Sequence, residues 1–136
     1  MPSPNPRLAA SSGPGGPPIA EPMGTQSVHY RALGERIART AQLAVLVDSY
    51  REYKAGVHKA GMPQQALYDA SRGLKDAVEF LRREIRPGDV VLVKGRRTQR
   101  LERIGLALEG RNVRCALRTC RLRMTHCADC SKLETG

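Results

Sequence analysis

Tryptophan is absent and phenylalanine occurs once, so aromatics supply only 4% of the 136 residues. Proteins that hold single-stranded nucleic acid without sequence preference stack bases on aromatic rings. That mode is disfavoured here, whatever the charge. Long apolar runs are also missing: none approaches the roughly 20 residues of a membrane span. The N-terminal stretch lacks the charged-then-apolar pattern of a secretion signal, which leaves the cytoplasm as the expected location. No internal repeat is visible. Cysteine is missing until Cys115, and all four cysteines follow in one window. In a reducing compartment such clustering points to metal or free thiols before disulfides.

Positive charge is what the chain has in excess. Its 23 Lys and Arg stand against 13 Asp and Glu, for a net charge of +10. That balance favours anionic partners: nucleic acid, phosphate ligands or anionic lipid. The length fits one domain with a modest core, burying roughly 65% of the unfolded surface.

The texture divides the chain in three. Residues 1–26 are rich in Pro, Gly and Ser and read as disordered, because so little apolar surface cannot offset ordering. A faint strand-like "PPIAEP" is the one exception within them. Residues 27–110 alternate between helical and strand patterns. Ser27 is an expected N-cap, followed by Tyr30, Leu33, Ile37 and Ala41 on one helical face. "LAVLV" (43–47) has strand length. "SYREYKAGVHKAGM" is helical and stops near Gly61. "QALYDA" (65–70) is a second strand. Ser71 is expected to cap a helix with Leu74, Val78, Leu81 and Ile85 inward, ended by Pro87 and Gly88. "DVVLV" is the strongest strand, "TQRLERIGLALEG" a helix with Leu101, Ile104 and Leu108 inward, and "NVRCAL" a last strand. Strands alternating with helices imply an α/β fold with a mainly parallel, Rossmann-like sheet flanked by helices. Residues 111–136 form a cysteine-rich tail.

The strongest strand ends on Lys94, Gly95, Arg96 and Arg97. In open α/β sheets ligands collect beyond the carboxyl ends of the strands. Backbone N–H groups at the start of a following helix favour an anion there. Gly95 allows close backbone approach. Lys94 is a point charge, whereas Arg96 or Arg97 can grip a carboxylate or phosphate through two bonds. The plain alternative is a solvated basic turn. His29 and His58 read as surface histidines, Tyr50 and Tyr53 as packing residues. Asp76 and Glu79 make a poor catalytic pair.

The string "GDVVLVKGRRTQRLERIGLALEG" resembles the end of the C-terminal domain of Mur ligases. The branch it is most similar to is UDP-N-acetylmuramoyl-tripeptide–D-alanyl-D-alanine ligase, where the segment runs G-D-x-V-L-V-K-G-S-R. "HYRALGERIARTAQLAVLV" and "LYDASRGLKDAVEFLRREIRPGD" extend the resemblance over roughly residues 27–110. It implies an ATP-dependent amide-forming ligase of peptidoglycan (cell-wall) biosynthesis. In that chemistry an acyl phosphate forms on the UDP-muramoyl peptide and the amine of D-alanyl-D-alanine attacks it. The loop Lys94, Gly95, Arg96, Arg97 would face the incoming amino substrate, with Arg96 standing where the family has Ser. The sequence contains no G-x-x-x-x-G-K-[ST] phosphate cradle, so ATP and magnesium belong to a complete ligase only. The resemblance therefore implies a truncated or split ligase, inactive alone, whose partner would be the missing ATPase part.

Cys115, Cys120, Cys127 and Cys130 follow a C-x4-C-x6-C-x2-C pattern. Four thiolates can close a tetrahedral structural zinc site, and the Cys127–Cys130 pair has zinc-knuckle spacing. The neighbouring Arg114, Arg118, Arg121 and Arg123 are expected to favour thiolates. Unliganded cysteines in a loose tail are the alternative. A similar cysteine-rich tail follows the same "LERI…LAL" run in some ligases of the resembled branch. A second functional class stays open: a stand-alone zinc-binding basic protein whose phosphate contacts hold nucleic acid in a salt-dependent way.

Overall fold

The computed structural model describes residues 6–11, 23–123 and 125–136. Eight main elements follow in order: β1 (Pro6–Ser11), α1 (Met23–Thr40), β2 (Ala44–Leu46), α2 (Tyr50–Lys59), β3 (Leu67–Asp69), α3 (Leu74–Glu84), β4 (Val90–Lys94) and α4 (Glu102–Leu108). All strand pairings are parallel, in the order β3-β2-β1-β4. The chain is thus a mixed helix-and-strand protein with a parallel sheet at its centre.

Alternation along β2 explains the layering. Successive side chains of a strand point to opposite faces. Ala44 and Leu46 pack with Ile37 of α1 and with Tyr53 and Val57 of α2. Leu43 and Val45 pack instead with Ala77, Val78, Phe80 and Leu81 of α3 and with Ile104 and Ala107 of α4. Two helices therefore cover each face. Tyr53 meets Tyr30 edge-on at 5.1 Å, and Tyr68 of β3 stacks on Phe80 at 3.9 Å. The packing role expected of Tyr53 is what the structure shows.

The α1–α2 contact is closed by two glycines. A Cβ on Gly34 would lie 2.5 Å from the Tyr53 carbonyl oxygen, and one on Gly56 would lie 2.0 Å from that of Arg31. Neither position has room for a methyl group, so the backbones approach as only glycine permits.

Several local expectations are corrected. Helix α1 starts at Met23, so Ser27 lies inside it and does not cap it; extending a helix costs less than starting one. Within 1–26, residues 6–11 form the strand β1 and not a disordered stretch. "PPIAEP" lies outside the described residues. Ser71 does not cap α3: its N–H bonds to Asp69 at 3.0 Å, and the helix begins after Gly73, whose φ of 138° breaks the chain direction. "NVRCAL" (112–117) is not a strand. Its Arg114 and Cys115 N–H groups bond to the Leu133 carbonyl, and its Cys115 and Leu117 carbonyls accept from Arg103, so no ladder can form.

Candidate functional site

The sheet order reverses once. The chain runs outward from β1 through β2 to β3, then crosses back to lay β4 on the other side of β1. Such a reversal opens a crevice at the carboxyl ends of the two strands that flank it. Lys94 stands there, the last residue of β4, in register with Ser11, the last of β1. The cationic loop read from the sequence is therefore placed at the switch point of the sheet.

Its local geometry differs from the expectation of a helix start. After Lys94, a 3-10 turn covers Arg97–Gln99, and Arg100 takes the left-handed conformation at φ 49° before α4 begins. The Arg96 N–H donates to the Gln99 side chain at 2.9 Å. Helix α4 has only seven residues, and its first turn carries the acidic Glu102. Gly95, Arg96 and Arg97 instead border an open depression of about 310 Å³, completed by Val93, Arg100, Leu101 and Glu102. Lys94 is not part of its wall; it continues the exposed side of β4. Lys94 to Arg97 are all exposed, so their charges are available to a ligand.

Two arginines that the sequence reading passed over organise the neighbourhood. Arg103 is 2% exposed and Arg100 5%. Arg103 donates to the carbonyls of Arg100 (3.0 Å), Gln99 (2.9 Å), Cys115 (2.7 Å) and Leu117 (2.7 Å). Arg100 donates to the Leu122 carbonyl and pairs with Glu102 at 3.6 Å, while its buried Nε has no partner among the described residues. Buried guanidinium groups satisfied mainly by carbonyls are unusual, since buried charges are normally paired. The available signal was slight: Arg103 lies one helical turn before the buried Ala107 on α4.

These arginines fasten the tail to the domain. The Cys120 N–H bonds to the Thr98 carbonyl at 2.7 Å, and Arg118 reaches across to the Ser71 and Arg72 carbonyls at 3.0 and 3.2 Å. Leu133 is buried at 1% exposure. The four cysteines are free thiols. Cys127 begins a 3-10 turn ending at Asp129, and its N–H donates to Glu102 at 3.0 Å. Burial first, then the Glu102 carboxylate, push its thiol up to about 11. The sulfur of Cys115 lies 3.5 Å from a guanidinium nitrogen of Arg103. Among the described residues no three His, Cys, Asp or Glu side chains converge as a metal site.

No helix among the described residues is long and apolar enough to cross a membrane. Asp76 accepts a bond from the Tyr68 hydroxyl at 2.7 Å, and Glu79 pairs with Lys75 at 3.9 Å, so neither is arranged with the other for catalysis. Compared with protein-family models, with curated proteins and with solved structures, the chain finds no match in any of the three.

Proposed function

We propose that residues 27–110 form the amino-substrate side of an ATP-dependent amide ligase of the Mur type, with a Rossmann-like sheet, working in the cytoplasm on peptidoglycan precursors. The observation that supports it is the seat of Lys94-Gly95-Arg96-Arg97: an exposed cationic loop at the carboxyl end of β4, where the sheet order reverses. D-Alanyl-D-alanine carries a carboxylate at one end and the reacting amine at the other. A guanidinium from Arg97 can hold the carboxylate by two bonds and so fix where the amine points. Arg96, in place of a serine, adds charge without a hydroxyl acceptor.

ATP and magnesium supply the acyl phosphate in a complete ligase, and the residues of this chain contribute binding and orientation only. The reading is tested by adding the chain to a Mur-type ligase lacking its own C-terminal domain. ATP-dependent amide formation should return, and Arg97→Ala should lower it at least tenfold. No restored activity at any ratio of the two would defeat the proposal.

Structural zinc is part of the same reading. Cys127 and Cys130 sit at the two ends of one turn, as a knuckle requires, and Cys115 and Cys120 lie on the opposite limb of the tail. Because no three of them converge among the described residues, binding requires the limbs to close and the raised Cys127 thiol to lose its proton. Stoichiometric zinc in the purified protein, released by a chelator, is the expected result; metal-free protein that also takes up none on titration removes it.

The second reading, a basic protein on nucleic acid, draws on the exposed Arg121 and Arg123 and on the exposed cationic loop. Steeply salt-dependent binding to random duplex DNA at physiological salt would favour it over the ligase reading.

A further inference from the structure

The tail does more than cover α4. Between it, α3 and α4 lies a solvent-open pocket of about 990 Å³ at the carboxyl ends of β2, β3 and β4. That is at the upper end of the roughly 300–1,000 Å³ typical of small-molecule sites. The floor is apolar, built from Val47, Leu74, Val78 and Leu101. The walls are not: eight of the lining residues are Lys or Arg and only Asp48 and Glu79 are acidic.

The charge in these walls is only partly answered by the protein. Lys75 has Glu79 at 3.9 Å, and Arg111 turns away to Glu134 at 2.8 Å. Arg103, buried in the wall, spends its donors on carbonyls and a sulfur, and its positive charge meets no carboxylate among the described residues. A buried charge of this kind acts on a nearby anion with more force than an exposed one does.

The roof is held at both sides. Arg103 grips the Cys115 and Leu117 carbonyls from α4, and Arg118 grips the Ser71 and Arg72 carbonyls from the turn before α3. A strap fixed at two points admits a small molecule beneath it and excludes a stiff polymer.

From this geometry we propose that the cavity is a binding site for a small phosphate-bearing molecule with an apolar or aromatic body. The body lies on the Val47–Leu74–Val78–Leu101 floor and the phosphate meets Arg72, Arg96 and Arg114. The proposal does not rest on the ligase reading, whose test measures amide formation and leaves this one untouched.

Titration calorimetry with phenyl phosphate and with inorganic phosphate tests it. Phenyl phosphate binds with a stoichiometry of one and at least tenfold tighter than inorganic phosphate. The double variant Arg72→Gln/Arg114→Gln weakens it tenfold or more. The charge-matched control Arg39→Gln/Arg51→Gln, on the exposed sides of α1 and α2, leaves it unchanged. Equal loss in both variants would show diffuse attraction and overturn the proposal, as would displacement of phenyl phosphate by random duplex DNA. Should the double variant fail to fold, amide shifts in the unsubstituted protein decide the matter. Movement at Gly73 and Thr119 on adding phenyl phosphate supports the site; movement only outside the cavity overturns it.

Discussion

Cys127 carries opposite influences in one side chain. Burial and the Glu102 carboxylate raise its thiol, whereas Arg103 and Arg100 pull it down and lose. The arginines crowded around the cysteines in the sequence therefore do not make this one a thiolate. Those that act on it come from α4 and the turn before it, not from the tail. A folded thiol held near 11 contributes stability that is complete below the usual thiol range and is lost as pH rises through 11. Glu102 behaves in the opposite sense. Burial works against its ionisation, yet the Cys127 hydrogen bonds and Arg100 hold its carboxyl below the usual value. Its contribution is present above the ordinary carboxylate range and is lost as pH falls. Iodoacetamide at pH 8 should modify Cys115, Cys120 and Cys130 well before Cys127, as read by peptide mass spectrometry. Equal rates at all four would contradict the burial of Cys127.

Elements were legible where side chains alone decide them. The Val90–Val93 run and the inward faces of α1 and α3 are written in periodicity, and the structure has strands and helices there. The strand β1 was not legible: "PRLAAS" has one leucine and no β-branched residue, and its place comes from pairing with β4 at five positions, Pro6 to Ser11. "NVRCAL" failed in the converse way. Its Val113, Cys115 and Leu117 alternate as a strand should, but a buried guanidinium takes the carbonyls that a ladder would need. The cationic loop could be read because it is exposed and contiguous. Arg103 on α4 and Arg100 in the turn before it could not, because an arginine is ordinarily solvated. The α1–α2 contact was equally hidden, since a glycine inside a helical pattern only weakens the expectation of helix. Gly56→Ala should cost about 2–3 kcal/mol, the upper range for overpacking, because the added methyl meets backbone that cannot step aside. Chemical denaturation gives the figure; an unchanged midpoint would mean that the helices can separate at no cost.

At the scale of the whole molecule, Arg103 is the joint between the α/β part and its tail. Removing it leaves the partly buried carbonyls of Gln99, Cys115 and Leu117 without that donor, whereas the Arg100 carbonyl keeps the Arg103 backbone N–H. Unsatisfied buried acceptors cost about 1–3 kcal/mol each, and partial relaxation keeps the total for Arg103→Met near 2–4 kcal/mol. Most of that loss should be local. Amide hydrogen exchange of residues 113–120 should accelerate at least a hundredfold, while the amides of β2 slow the exchange as before. Uniform acceleration across the chain would show instead that tail and sheet open together.

The free side of the sheet has a consequence for how the molecule behaves in a crowded solution. Strand β4 has no neighbour on its outer edge among the described residues, and Val90 and Leu92 stand 46% and 53% exposed on it. An open apolar edge is a template for a second copy to add to. The chain's defence is mutual repulsion between molecules that each carry a net charge of +10. That defence reaches about 8 Å at physiological ionic strength and only about 3 Å in molar salt. The colloidal stability of this protein is thus borrowed from its surroundings. It is greatest in dilute buffer and weakest where salt, or a bound polyanion, strips the charge away.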